Sequence, residues 1–127
     1  MNCLLDTHVI IWYFEDSQRL PQRITELIDS FETGKYISMV SLWEIAIKIN
    51  LGKLELKLSF DELLNLINSA NNGILQIEDD YLKLLIALPD IHKDPFDRLI
   101  IASAIAEDLT IITTDENIQK YDVKWIW

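Results

Sequence analysis

The stretch DPFDRLIIASAIAEDLTIITTDENI, residues 94–118, contains the pattern on which the fold prediction rests. Asp94 and Pro95 have the form of a helix start, because aspartate is a favoured N-cap and proline a favoured first helical residue. Residues 99–106 carry no charge, which is typical of a buried helix. Residues 109–113 then form a short, largely β-branched run, which favours a strand covered on both faces. A helix leading into such a strand indicates a parallel α/β fold.

Four other short apolar runs have the same character and are predicted to be strands: residues 3–5, 36–40, 74–77 and 123–127. Strands that alternate with helices are joined by right-handed crossovers, which place helices on both faces of a parallel sheet. The predicted fold class is therefore α/β, a three-layer α/β/α sandwich with a central parallel sheet. Because no Gly-, Ser- or Pro-rich linker interrupts the sequence, we expect one domain over residues 1–127.

Helical spacing and capping signals fill the intervals between the predicted strands. Residues 24–31 carry apolar side chains at helical spacing, and Gly34 is expected to end this helix in a left-handed conformation. Ser59 and Glu62 have the spacing of a capping box. Residues 52–60 alternate apolar and polar side chains, which fits either an extended connector or an edge strand.

The chain is acidic, with 11 Lys and Arg against 21 Asp and Glu and a formal net charge of −10. Such a protein repels polyanions unless a cation is bound to it. No positively charged start precedes a long apolar run, and no uncharged run reaches the roughly 20 residues of a membrane span. The single cysteine, Cys3, is expected to be a buried core residue in a reducing compartment. We therefore expect a cytoplasmic protein without a membrane partner.

Four acids fall close to the predicted junctions between strands and helices. Asp6 follows the first strand, Glu44 comes soon after the second, Asp97 lies in the first turn of the helix that begins at Pro95, and Asp115 follows the fourth strand. The carboxyl ends of parallel strands meet at one edge of the sheet, where open α/β folds bind ligands. The sequence therefore predicts that these carboxylates converge.

Each acid, taken singly, also has a purely structural explanation. Asp6 and Asp94 suit N-caps, Ser41 and Glu44 have capping-box spacing, and Asp115 suits an Asx turn. Carboxylates ~5 Å apart, however, repel by about 3 kcal/mol per pair at an effective dielectric near 20, which exceeds what helix termini offset. Hard oxygen donors without paired Cys or His point to Mg²⁺ or Mn²⁺. Such an ion orients water and stabilises charge on a phosphoryl oxygen, which is the chemistry of phosphodiester hydrolysis.

The chain resembles the PIN-domain, VapC-type toxin ribonucleases of bacterial toxin-antitoxin pairs. Four segments carry the resemblance in the family's order: LLDTHVIIW at residues 4–12, SLWEIAIKINLGKL at 41–54, HKDPFDRLIIASA at 92–104 and LTIITTDENI at 109–118. By this resemblance Asp6, Glu44, Asp97 and Asp115 match the family's catalytic, metal-binding acids. It implies a metal-dependent endoribonuclease that hydrolyses RNA as the toxin of such a pair. It also implies a homodimer and a cognate antitoxin as protein partners.

Several polar residues near these acids have candidate roles. Thr7 and Thr113 are candidates to hydrogen-bond water near the metal. Arg98 is expected either to contact substrate phosphate or to pair with the acids. His8 and His92 are expected to make local hydrogen bonds rather than to bind a metal.

Two other functional classes are also compatible with parts of the pattern. A non-catalytic α/β protein-interaction module would use the same acids only as helix caps, and divalent ions would not affect it. A phosphatase similar to the haloacid dehalogenases would use Asp6 as a covalent acceptor, but it needs a second acid where His8 stands. Lys48, Lys53 and Lys57 either follow an RNA backbone or are simply solvated.

Overall fold

The structure is a computed structural model that describes residues Met1–Trp127. The strands are β1 (Asn2–Leu5), β2 (Gly34–Ser38), β3 (Gly73–Leu75), β4 (Thr110–Ile112) and β5 (Trp125–Ile126). The helices are α1 (Thr7–Phe14), α2 (Gln22–Asp29), α3 (Met39–Asn50), α4 (Phe60–Ser69), α5 (Asp79–Ala87), α6 (Pro95–Ala106) and α7 (Glu116–Gln119).

The five strands form one sheet in the order β3-β2-β1-β4-β5, and every neighbouring pair is parallel. This architecture confirms the predicted α/β fold with a central parallel sheet. The strand order changes direction at β1, which lies between β2 and β4. Ligands of open α/β sheets bind outside the carboxyl ends of the strands at such a point.

Alternate residues of the strands point to opposite faces of the sheet and build two separate cores. Cys3 and Leu5 of β1 belong to one core with Ile112 of β4, whereas Leu4 and Ile111 belong to the other. The first core is covered by α1, α2 and α4, and the second by α5, α6 and α7. Helix α3 contributes side chains to both. Both faces of the sheet are therefore apolar, which explains why the buried strand residues are hydrophobic without alternating with polar ones.

The predicted end of the second helix at Gly34 is wrong. Helix α2 stops at Asp29, Ser30 leaves it in an extended conformation, and Gly34 begins β2. Phe31, which has helical spacing in the sequence, is fully exposed as a result. The left-handed glycine of this chain is Gly52 instead, with φ of 70°.

Other local predictions have mixed outcomes. Ser59 and Glu62 form the predicted capping box at α4. The alternating stretch before α4 forms no strand, so the connector interpretation is the correct one. Cys3 is a fully buried free thiol, as expected. No helix combines the length and the apolar character that crossing a bilayer requires.

Candidate active site

Asp6 and Asp115 follow the neighbouring strands β1 and β4, where the strand order changes direction. The Asp6 side chain caps α1, because its Oδ1 accepts a hydrogen bond of 2.7 Å from the backbone N–H of Thr7. Its Oδ2 accepts a bond of 2.8 Å from the Thr113 hydroxyl, which itself accepts one of 3.0 Å from the Asp115 N–H. The hydroxyl of Thr113 therefore connects the two acids. Asp115 also caps α7, as the Asx-turn interpretation predicts.

Asp6 is almost completely buried, with 3% of its surface exposed. Burial raises the pKa of this carboxyl, since an ionised group loses hydration there. The hydrogen bond from Thr113 lowers the pKa, and the nearby charge of Asp115 raises it. Burial therefore disfavours the ionised form of Asp6, and a bound cation would stabilise that form.

Asp97 lies in the first turn of α6, with 14% of its side chain exposed. Asp94 is the N-cap, as predicted, and its Oδ1 accepts bonds of 2.9 and 3.0 Å from two N–H groups of that turn. Burial raises the pKa of Asp97 to about 7, and the charges of Asp94, Asp6 and Asp115 act in the same direction. A hydrogen bond with His92 opposes them. The negative charges of Asp94, Asp6 and Asp115 therefore disfavour the ionised form of Asp97.

Glu44 reaches the same region from α3 and is 3% exposed. Its Oε1 accepts a bond of 2.8 Å from the Thr7 hydroxyl, and its Oε2 forms an ion pair of 2.6 Å with Lys48. The predicted capping box of Ser41 and Glu44 is wrong, because α3 starts directly after β2 and is capped by Ser38. Ser41 lies inside the first turn, where its hydroxyl is hydrogen-bonded at 2.9 Å to that of Thr7.

Lys48 is a cation beside these acids, and the sequence prediction did not place it there. Burial lowers the pKa of Lys48, but the bond to Glu44 and the charges of Glu44, Asp94 and Asp97 raise it overall. The same ammonium group therefore interacts with acids from two helices, α3 and α6. The i, i+4 spacing of Glu44 and Lys48 is the sequence signal that indicates this pair.

The four predicted metal ligands present only carboxylate oxygens, which suit Mg²⁺ or Mn²⁺. They do not form a ready-made cage, because no three Asp, Glu, His or Cys side chains are gathered at metal-binding spacing. The carboxylates instead bond to threonine hydroxyls, to Lys48, to His92 and to backbone N–H groups. The fit to a divalent cation rests on the donor chemistry and on the crowding of negative charge.

Arg98 and His92 have roles that differ from the simplest predictions. The Arg98 Nη1 atom donates to the Pro89 carbonyl at 2.8 Å and to the Tyr121 hydroxyl at 3.0 Å, and the side chain forms no ion pair with an acid. The expected pairing of Arg98 with the acids is therefore wrong. His92 makes the expected local bond, 3.1 Å from its Nε2 to Asp97 Oδ2, and also a bond of 2.7 Å to Tyr121.

The His8 ring makes no hydrogen bond within the protein, which contradicts the prediction for this residue. It is exposed on the first turn of α1, and its ring centroid lies 5.9 Å from that of Trp12. Lys53 and Lys57 are exposed in the connector before α4, so they are available to a partner but are not part of the acidic region.

The raised pKa of Asp97 leads to an expected dependence of stability on pH. A carboxyl whose pKa is higher in the folded state than in the unfolded chain adds stability below the unfolded value, near 3.9, and loses it as pH rises through about 7. The free energy of unfolding of the metal-free wild type should therefore fall between pH 5 and pH 8 relative to that of Asp97→Asn. Urea unfolding of both proteins at several pH values measures the difference, and parallel curves would contradict it.

The sequence of this chain matches the model of a known protein family. A family model of the PIN domain matches residues 3–124. A search of curated proteins found no match.

Several solved structures have a similar fold. The chain is similar to VapBC2 from Rickettsia felis bound to a DNA fragment from its promoter, with a TM-score of 0.74 and 17% identity over 99% of this chain and 98% of that one. It is also similar to VapBC-1 from nontypeable Haemophilus influenzae, with a TM-score of 0.69 and 20% identity over 99% of this chain and 97% of that one. For FitAcB from Neisseria gonorrhoeae, the TM-score is 0.67 and the identity is 19%, over 98% of this chain and 96% of that one. At these identities the similarity establishes the fold alone.

Proposed function

The chain belongs to the PIN-domain family, and we propose that it is a metal-dependent endoribonuclease that hydrolyses RNA phosphodiester bonds. PIN domains are generally nucleases. The observation that carries the proposal is that Thr113 joins the nearly buried Asp6 to Asp115, while Thr7, the residue after Asp6, holds the equally buried Glu44. The charges of Asp6 and Asp115 also raise the pKa of Asp97. Negative charge concentrated at the change of strand direction is unfavourable in a free protein and favourable beside a divalent cation.

Asp6, Glu44, Asp97 and Asp115 would hold Mg²⁺ or Mn²⁺ in this proposal. When bound, such an ion supplies an activated water and stabilises the charge that develops on a phosphoryl oxygen. The residues of the chain prepare the site for it: Thr7 orients Glu44 and Thr113 orients Asp6 through hydroxyl bonds of 2.8 Å each. No side chain is required as a covalent nucleophile.

The net charge of −10 opposes the binding of RNA, so cations near the acids have to offset it. Lys48 is the ammonium group closest to that task, because it is already paired with Glu44 and is 35% exposed. With Glu44 holding a divalent ion, the Lys48 ammonium group would be free to face a substrate phosphate.

We further propose that the protein acts as the toxin of a toxin-antitoxin pair in the cytoplasm. An apolar groove with a volume of about 350 Å³ supports a protein partner; it is lined mainly by Met39, Leu42, Trp43, Phe60, Leu64 and Ile74. Trp43 is half exposed there, and its ring packs edge to face against that of Phe96 with centroids 5.1 Å apart, so an antitoxin segment in the groove would approach the first turn of α6, which carries Asp97. Exposed Ile86 and Leu82 on α5 support a homodimer through a second apolar surface.

The alternative of a non-catalytic interaction module is favoured by one observation. Asp6, Asp94 and Asp115 all cap helices, so the fold itself accounts for their presence. It does not account for Glu44 and Asp97, which cap nothing and are nevertheless held close to other charged groups.

The test is cleavage of a fluorescently labelled single-stranded RNA by purified protein with Mg²⁺, with Mn²⁺ or with EDTA. Either ion should permit cleavage and should raise the Tm, because binding at 100 times the Kd adds about 2.7 kcal/mol to the free energy of unfolding. EDTA should remove both effects. Asp80→Asn, which removes an exposed acid of α5, is the control for net charge and should behave like the wild type. Failure of both ions to change Tm or cleavage would support the interaction module.

Replacing Lys48 by methionine should destabilise the metal-free protein by about 1–3 kcal/mol, because nearly buried Glu44 loses its counter-charge. Divalent metal should then stabilise this variant more than it stabilises the wild type. Thermal unfolding with and without Mg²⁺ measures both effects. Lys83→Met is the matched control, since Lys83 pairs with Asp80 where both side chains are exposed, and it should change stability by less than about 0.5 kcal/mol. Equal stability of Lys48→Met and wild type would contradict the expectation.

A further inference from the structure

A chain of hydrogen bonds leads from Tyr121 through His92 to Asp97. The Tyr121 hydroxyl lies 2.7 Å from His92 Nδ1, and His92 Nε2 lies 3.1 Å from Asp97 Oδ2. Tyr121 is 4% exposed, and the side chains of His92 and Asp97 are 13% and 14% exposed. The rings of Tyr121 and His92 also pack edge to face, with centroids 5.4 Å apart. Tyr121 and His92, which are 29 positions apart in sequence, are thus joined in a largely buried cluster.

The direction of each bond follows from Arg98, which can only donate. Its Nη1 donates to the Tyr121 hydroxyl oxygen at 3.0 Å, and the backbone N–H of His92 donates to the same oxygen at 3.3 Å. The hydroxyl therefore acts as the acceptor in both bonds. Its single proton points to His92 Nδ1 at 2.7 Å and not to the other acceptor in reach, the His92 carbonyl oxygen, which is much farther away at 3.5 Å.

The tautomer of His92 follows from that proton. A ring nitrogen that accepts a bond carries no hydrogen, so in neutral His92 the hydrogen is on Nε2. This N–H donates to Asp97 Oδ2. The other carboxylate oxygen, Asp97 Oδ1, has no hydrogen-bond partner in the protein. This oxygen is not fully buried, so it is open to solvent.

We propose that Tyr121 and His92 are positioning residues, which hold the Asp97 carboxylate with one oxygen fixed and the other directed to the metal and the substrate. This inference rests on the proposed function of Asp97 as a metal ligand. Residues that orient a ligating side chain from behind are typically worth 10–100-fold in metal affinity or activity. Arg98 contributes by setting the direction of the Tyr121 hydroxyl.

The first experiment tests the bond directions without any metal. The chain has only two histidines, so ¹⁵N imidazole spectra at pH 8 can be assigned by comparison with His8→Gln. We expect His92 to be the Nε2–H tautomer in the wild type. In Tyr121→Phe, the Nδ1–H tautomer of His92 should appear as well, because the tyrosine hydroxyl that donates to Nδ1 is no longer present. A wild-type His92 protonated on Nδ1 would overturn the proposal.

The second experiment measures metal binding separately from activity. Binding of Mn²⁺, followed by the electron paramagnetic resonance of the free ion, should weaken about 10–100-fold in Tyr121→Phe and His92→Ala. His92→Gln should recover much of the loss, because its amide can donate to Asp97 from a position near that of Nε2. Tyr81→Phe is the matched control, since Tyr81 is about as buried as Tyr121. Its hydroxyl donates at 2.9 Å to Glu107, which is not one of the four candidate metal ligands.

The outcomes separate the proposed function from this inference. If the wild type neither binds Mn²⁺ nor cleaves RNA, the proposed function fails and the positioning role fails with it. If the wild type does both and Tyr121→Phe matches Tyr81→Phe in Mn²⁺ affinity, the function stands and the positioning role is wrong. A purely structural role would lower the Tm of the two tyrosine variants alike and leave Mn²⁺ affinity unchanged.

Discussion

Asp97→Asn is expected to lower RNA cleavage by more than about a hundredfold and to remove the stabilisation by Mg²⁺ or Mn²⁺. The expected size of this loss follows from the proposed role of Asp97 as a direct metal ligand. Mutation of a residue that only orients a ligand typically lowers metal affinity or activity 10–100-fold, so loss of a direct ligand should reach at least the upper end of that range. The substituted asparagine keeps the shape of the side chain and the ability to bond to His92, but it lacks the negative charge that attracts the cation. The measurement is initial cleavage rate and Tm, each with and without metal.

Unfolding of the variant does not explain such a loss, because the substitution should stabilise the metal-free protein. At pH 8 the wild type holds Asp97 ionised although burial and neighbouring acids raise its pKa to about 7, and asparagine removes this unfavourable charge. After allowance for partial exposure, the gain is about 1–2 kcal/mol. Full cleavage by a stable Asp97→Asn protein would show that Asp97 is not a ligand. Unchanged cleavage in Asp80→Asn provides the reference for loss of a single charge.

Ile100→Ala is expected to lower the free energy of unfolding by about 2–5 kcal/mol, which is a large part of the total for a domain of this size. Ile100 is completely buried one turn after Asp97, within the core formed by α5, α6, α7 and one face of the sheet. The cavity left by the truncated side chain cannot collapse easily between a sheet and a helix. Urea unfolding measures the change.

Ile105→Ala is the control on the same helix. Ile105 is 36% exposed, so the same truncation removes fewer contacts and should cost less than about 1 kcal/mol. Equal losses at the two positions would mean that the complete burial of Ile100 does not set the cost of the truncation. Cleavage by Ile100→Ala should fall in proportion to the unfolded fraction, because the change removes no group of the acidic region.

Much of the fold could be predicted because its signals are local. Uninterrupted apolar runs indicated strands covered on both faces, and the sheet is parallel throughout. The capping residues Ser59 and Asp94 act on backbone groups two or three positions away, so their spacing in sequence is sufficient to identify them. Gly34 was misassigned because a glycine after a helical pattern suits a left-handed cap and the start of a strand equally well.

The candidate site was predictable only in part, for a reason that lies in the range of its interactions. The position of Asp6 directly after β1 and of Asp115 soon after β4 follows from the order of elements, whereas their connection through Thr113 requires that these two strands be neighbours. For Ser41 and Glu44 the local signal was misleading. Their spacing fits a capping box, but α3 begins at Met39 with Ser38 as its N-cap, so both residues lie inside the helix.

The amino-acid sequence by itself determined the alternation of strands and helices and the approximate positions of the acids along it, because periodicity and capping act within a few residues. The tertiary structure alone decided the long-range contacts of the site: that of Glu44 with Thr7, that of Asp6 with Thr113, and the placement of Tyr121 against the histidine that contacts Asp97. The bond of Thr7 to Glu44 joins residues 37 positions apart, and that of Tyr121 to His92 joins residues 29 positions apart. Such distances are closed only when whole strands and helices pack, and no local pattern in the sequence records which side chains then meet.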